Sequence, residues 1–251
     1  MLRITDARTG ELVDAAPARR GLTRVEAHVP RLDPTHVRVL LVADLLVRAL
    51  ELGGTPVWAL LTADRQEAEV RASAAGLGIR PFEDGRDLAI GPGRAQNLHV
   101  VAQGGAAPDG VRIEVAPVEA AAPGTPGTPD AAGHAAGGGD PTALRLALLA
   151  RPRGTPVRLD AAALDDAGAT LARWRRAVAA WAQRPSRPVP DAVRERLRAA
   201  WEDDLDVPGL LEVLRRVESD PDMPDGARFE TYAYADRLLG VELTRDLGGG
   251  A

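Results

Sequence analysis

Asp33-Pro34-Thr35-His36-Val37-Arg38-Val39 is the stretch on which the fold turns. Just before it, Val25-Glu26-Ala27-His28-Val29 alternates apolar and polar residues, which predicts a strand. After it, Val37 to Leu52 is apolar on most faces, which predicts a deeply buried helix, with Asp33 or Thr35 as its cap. Gly53-Gly54 supplies the stop. A polar turn between a strand end and a helix start is where open α/β sheets place ligands.

Working outward, Pro56-Val57-Trp58-Ala59-Leu60-Leu61 is a continuous run of the kind found in parallel strands buried on both faces. Thr62 and Asp64 are positioned to cap a polar helix from about Arg65 to Ala75. Leu98-His99-Val100-Val101 and Val111-Arg112-Ile113-Glu114-Val115 predict further strands. Alternation of strand and helix implies a parallel α/β sheet over residues 1–118. Residues 119–139 are nearly all Ala, Gly, Pro and Thr, the composition of a linker. From Asp140 to the end, 140–251, Leu, Val and Trp recur at helical spacing, which predicts an antiparallel helical bundle.

Composition narrows the chemistry. There is no cysteine, so disulfides, thiolate metal sites and cysteine nucleophiles are excluded. All 31 basic residues are arginine, so no Schiff-base or phosphate-clamp lysine exists. A net charge of −5 argues against a DNA-binding field or a membrane surface. No apolar run approaches membrane-spanning length, and the start is not a signal peptide, so a cytoplasmic protein is expected. The strongest local charge is basic. Arg173, Arg175, Arg176, Arg184, Arg187, Arg194, Arg196 and Arg198 face only Asp191 and Glu195 in sequence, eight minus two, or +6.

Three stretches, in order, resemble the cysteinyl-tRNA synthetases and their sister family, the mycothiol cysteine ligases. Leu2 to Gly10 is similar to the amino-terminal hairpin of that family. Val25 to Asp44 resembles its first strand, signature turn and helix. Asp140-Pro141-Thr142-Ala143-Leu144-Arg145-Leu146-Ala147-Leu148-Leu149, followed later by Trp201 to Pro208, resembles its helical part. The resemblance implies a Rossmann-like sheet of the class I synthetase type followed by a helical bundle.

It also implies an adenylation site, and here the chain departs from the pattern. His36 matches the first histidine of the His-x-Gly-His signature. Arg38 stands at the glycine and Val39 at the second histidine. The lysine-rich pyrophosphate clamp would fall in 119–139, where no lysine is found. Of the zinc ligands, two cysteines, a histidine and a glutamate, the chain offers His28 at the first cysteine position and Glu119. The family's chains are also far longer.

The expectation is therefore a truncated, catalytically degenerate relative, kept as a binding or regulatory protein, with no cofactor and no metal. His36 is read as a relic of the signature, and Thr35, His36 and Arg38 as the nucleotide-facing residues. Arg173, Arg175 and Arg176 are the candidates for RNA contact, with tRNA or a protein as partner. The alternative is an active ATP-dependent cysteine ligase, with Arg38, Arg151 and Arg153 standing in for clamp lysines; ATP is a ligand only in that case. Elsewhere the plain readings hold. His28 is expected to be a core or rim histidine, His99 and His134 show no partner spacing, Gly91-Pro92-Gly93 is a turn, Gly104-Gly105 is a relic loop, and Asp165-Asp166 and Asp203-Asp204 are solvated helix starts.

Overall fold

The computed structural model describes residues 1–17, 22–64, 66–84, 96–120 and 140–248. Most of the linker-like segment, Gly91-Pro92-Gly93 and His134 lie outside them. Nine strands and seven helices are found among the described residues.

β1 (Arg3–Asp6) and β2 (Glu11–Asp14) form an antiparallel hairpin. The main sheet has five parallel strands in the order β5-β4-β3-β6-β7. They are β3 (Thr23–Val29), β4 (Val57–Ala63), β5 (Glu83–Asp84), β6 (Gln96–Ala102) and β7 (Val111–Val115). β3 is central, and the sheet grows from it in both directions. That reversal, between β3 and β6, is the topological switch point where such sheets hold ligands.

β3 keeps its alternation. Val25, Ala27 and Val29 are fully buried against α1 (Pro34–Leu52), whereas Arg24, Glu26 and His28 lie on the opposite face. α1 forms because Asp33 caps it, Pro34 occupies its first turn, and its apolar residues face the core on nearly every side. It packs on the sheet along one flank and against two helices of the second half along the other. α2 (Glu67–Gly76) begins two residues later than the sequence suggests, because β4 runs on through Thr62 to Ala63. Thr62 is therefore a strand residue, and its hydroxyl donates to Glu26 rather than capping a helix.

The second half contains α3 (Pro141–Leu149), α4 (Ala161–Trp181), α5 (Asp191–Glu202), α6 (Val207–Ser219) and α7 (Asp225–Leu239). Tyr232 sits edge-on to both Trp174 and Trp181 and donates its hydroxyl to the Leu214 carbonyl. One strand breaks the helical pattern: β9 (Val157–Leu159) pairs in parallel with β8 (Val118–Ala120). Three residues are too few for periodicity to announce a strand. Asp203 and Asp204 follow the end of α5 rather than starting a helix. Asp204 accepts from the Thr5 amide and pairs with Arg153, tying the hairpin to the helical half.

No helix among the described residues is long and apolar enough to cross a membrane.

Candidate functional site

The signature-like turn lies at the carboxyl end of β3, where α1 begins. Asp33 accepts the His36 amide at 2.9 Å, and Arg31 donates to its other oxygen at 2.6 Å. The His36 ring is nearly buried, with Nδ1 2.8 Å from the same Asp33 oxygen. That close approach sets the imidazole directly against the Asp33 carboxylate. Burial pushes the Asp33 carboxyl up, but the hydrogen bonds from His36 and Arg31 outweigh it and hold the group well below the usual carboxylate range. The positive end of α1 thus already faces an anion supplied by the chain itself. Thr35 is occupied too: its hydroxyl accepts the Val118 amide at 3.0 Å, which fixes β8 over the turn.

Arg38 is the decisive side chain. It is 1% exposed, in the first turns of α1. Nε donates to the Leu148 carbonyl at 3.1 Å. Nη1 donates to Ala116 at 3.1 Å and Thr155 at 2.8 Å, and Nη2 to Arg151 at 3.2 Å and Pro152 at 2.8 Å. A guanidinium has five N–H groups, and all five are spent on backbone oxygens. Several of those oxygens belong to the end of α3 and the loop after it, where helix carbonyls lack intrahelical partners and a cation is favoured. Burial lowers the Arg38 pKa to about 10, which still leaves it charged at neutral pH. No donor remains for a phosphate, and Val39 beside it is fully buried.

The other arginines separate in the same way. Arg175 is buried, donating to Asp140, Thr142 and the carbonyls of Val241 and Glu242. Arg173 pairs with Glu218 and lies over Trp174, 5.8 Å from the ring centre. Arg176 is exposed. The three RNA candidates therefore do not form one free surface. Arg153 bonds Asp204 and the Glu114 carbonyl. Arg151 is exposed, on the rim of an open cleft of about 680 Å³ between α3, β9, α4 and α6 that also carries Arg158 and Arg215.

A second cluster escapes sequence reasoning. On the sheet face away from α1, Glu26 and His28 of β3 meet His99 of β6. His28 Nε2 lies 3.0 Å from His99 Nδ1, which in turn lies 3.4 Å from Glu26 Oε2. Thr62 donates to Glu26 Oε1 at 2.5 Å. Burial pushes the Glu26 carboxyl up, but hydrogen bonds from His99 and Thr62 and the nearby imidazoles overcome this and bring it to about 2. Burial lowers the His28 pKa. His99 thus has partners after all. The only signal in the sequence was Glu26 two residues before His28, on one strand face; His99 joins them through a register set 71 residues away.

A parallel sheet in the order β5-β4-β3-β6-β7, followed by helices, defines a Rossmann-like α/β protein. No family model matches it. It is 40% identical over 109 residues to an L-cysteine:1D-myo-inositol 2-amino-2-deoxy-alpha-D-glucopyranoside ligase of Acidothermus cellulolyticus, covering 43% of this chain and 26% of that one. The same-named ligase of Streptosporangium roseum is 40% identical over 108 residues, 41% of this chain and 26% of the ligase. That of Catenulispora acidiphila is 44% identical over 119 residues, 42% and 27%. Over the aligned stretch the chain is a relative of these cysteine ligases, and it spans about a quarter of their length.

Proposed function

We propose that this chain is a cysteine-ligase relative that does not form an aminoacyl-adenylate and acts instead as a binding or regulatory protein. The observation that carries this reading is Arg38. At the position where the resemblance implies a glycine against adenine, a guanidinium is fully engaged with five carbonyls. A bare backbone there would leave room for a flat base; this side chain fills the room and joins the sheet to α3. Asp33 adds to the reading, because its carboxylate sits where a phosphate would seek the end of α1.

An active ligase using arginines as clamp residues has less support. Arg38 and Arg153 are committed to internal partners, which leaves Arg151. The cleft bearing Arg151 also carries Glu119 and Asp166, and its other arginines, Arg158 and Arg215, pair with Asp160 and Glu212.

A calorimetric titration with magnesium ATP tests the pocket directly. The expected result is no saturable heat at millimolar ATP. Saturable binding that disappears in His36→Ala would show that the turn still holds a nucleotide, and would sink the proposal.

A further inference from the structure

We propose that the open cleft of about 680 Å³ between α3, β9, α4 and α6 is a binding site for an apolar dipeptide with free ends. The ammonium of the dipeptide pairs with Asp166 and Glu119, its carboxylate pairs with Arg151, and its side chains run along α4 toward Trp174. The site is separate from the turn at the start of α1 and stands whatever that turn binds.

The cleft owes its shape to small residues. On α4, Ala163, Ala167, Thr170 and Trp174 recur at helical spacing and share one face. Ala147 and Ala150 of α3 line the facing wall. Helices that meet usually interlock larger side chains, and here the alanines leave a trough instead. Its floor is apolar, with Leu146, Ala167, Trp174 and Leu211 all buried. Trp174 gives its one N–H to Glu218 at 3.1 Å, so the indole offers the cleft carbon alone. The volume falls within the range of small-ligand sites, about 300–1,000 Å³.

The free charges gather at one end. α3 runs antiparallel to α4, because Asp140 and Thr142 near its start bind Arg175, and Ala143 faces Gly168. Arg151, just past the end of α3, therefore lies beside the start of α4. Asp166 stands in the first turns of α4, and Glu119 of β8 stands next to Arg158 of β9, shortly before α4 begins. Arg151, Asp166 and Glu119 are exposed, and their side chains have no ion pair or hydrogen bond among the described residues. The other rim arginines are taken: Arg158 by Asp160 at 3.1 Å, and Arg215 by Glu212 at 3.6 Å. An anion would meet two free carboxylates, and a simple cation would leave Arg151 unused. A zwitterionic head satisfies all three. The guanidinium fork matches a carboxylate, and the three N–H groups of an ammonium serve two carboxylates.

Length and rigidity favour a dipeptide. From Asp166 to Trp174 the helix rises about 12 Å. One residue of extended chain covers about 3.5 Å, so a single amino acid leaves the Trp174 end empty. The wall is also fixed in advance. The carbonyls of Arg151 and Thr155 are held by Arg38 at 3.2 and 2.8 Å, and Val118, beside Glu119, donates its amide to Thr35 at 3.0 Å. A wall held in this way loses little freedom when a ligand arrives.

Calorimetric titration of the full chain with leucyl-leucine is the test. One saturable site is expected, with N-acetyl-leucyl-leucine and leucyl-leucinamide each bound at least about tenfold more weakly, since each loses one charge-assisted contact. Arg151→Gln keeps the carbonyl that Arg38 holds. It should weaken leucyl-leucine about tenfold and leave the amide unchanged, because the amide has no carboxylate to lose. Asp166→Asn should likewise penalise leucyl-leucine more than its N-acetyl form. Ala167→Leu, which fills the floor, should abolish binding; the two surface variants carry the test if that protein is unstable. No saturable heat at millimolar leucyl-leucine, or equal affinity for the free and blocked peptides, overturns the proposal.

Discussion

Replacing Arg38 with glycine, the residue implied by the family signature, is expected to unfold the protein rather than restore a nucleotide pocket. The change removes five hydrogen bonds at once and leaves five carbonyls to find other donors. It adds a glycine inside α1, worth about 1 kcal/mol by itself. Buried polar groups that lose their partners cost about 1–3 kcal/mol each when water cannot replace them. The sum is a loss of at least about 3 kcal/mol, a large part of the stability of an ordinary domain. Urea unfolding followed by circular dichroism reads it. A fully stable Arg38→Gly protein would mean that the guanidinium is an ornament and that the pocket beneath it is intact.

The second large effect is expected at Asp44. This carboxylate is 1% exposed and joins the two halves of the molecule. Arg145 of α3, itself fully buried, donates to it at 2.5 Å, and Arg48 donates at 2.8 Å. Arg145 also reaches the Leu239 carbonyl at 2.6 Å, at the end of α7. Asp44→Ala strands a buried guanidinium and should cost about 3–5 kcal/mol. Asp44→Leu combined with Arg145→Met should cost less than the sum of the single changes, because the double change leaves no lone charge. Simple additivity would contradict the pairing.

Acid should expose the same pair. Burial alone would raise the Asp44 pKa, but Arg145 and Arg48 outweigh it and lower the value from the ordinary 3.8. A carboxyl depressed in the folded state stabilises above its unfolded pKa. That contribution fades as pH falls from about 4 toward the folded value. Wild type should therefore lose stability in that range by a margin that the double variant lacks.

Much of the fold was legible because periodicity reports it directly. The alternation of Val25 to Val29 and the caps of α1 correspond to the strand and helix observed. The site was legible only in outline, and the arginines show why. In a chain without lysine, Arg38, Arg145 and Arg175 look like surface or phosphate-binding cations. All three are buried, and each binds backbone carbonyls near a helix end. The hint was local: Arg38 lies within Val37 to Val42, and Arg145 within Leu144 to Leu149, both apolar on every face. A cation in such a run has to be internally satisfied, since no face of the helix reaches water. The Glu26, His28 and His99 cluster was hidden for another reason. Its members meet through the pairing of β3 with β6, and nothing local in the sequence sets that register.

Cysteine-dependent ATP–pyrophosphate exchange measures directly the adenylation that the proposed function denies to this chain. With Arg38 holding the turn closed and no lysine in the chain, exchange should stay at the background of a protein-free control, with or without added zinc. Exchange that rises with cysteine and falls on His36→Ala would contradict the account and return the chain to the working ligases.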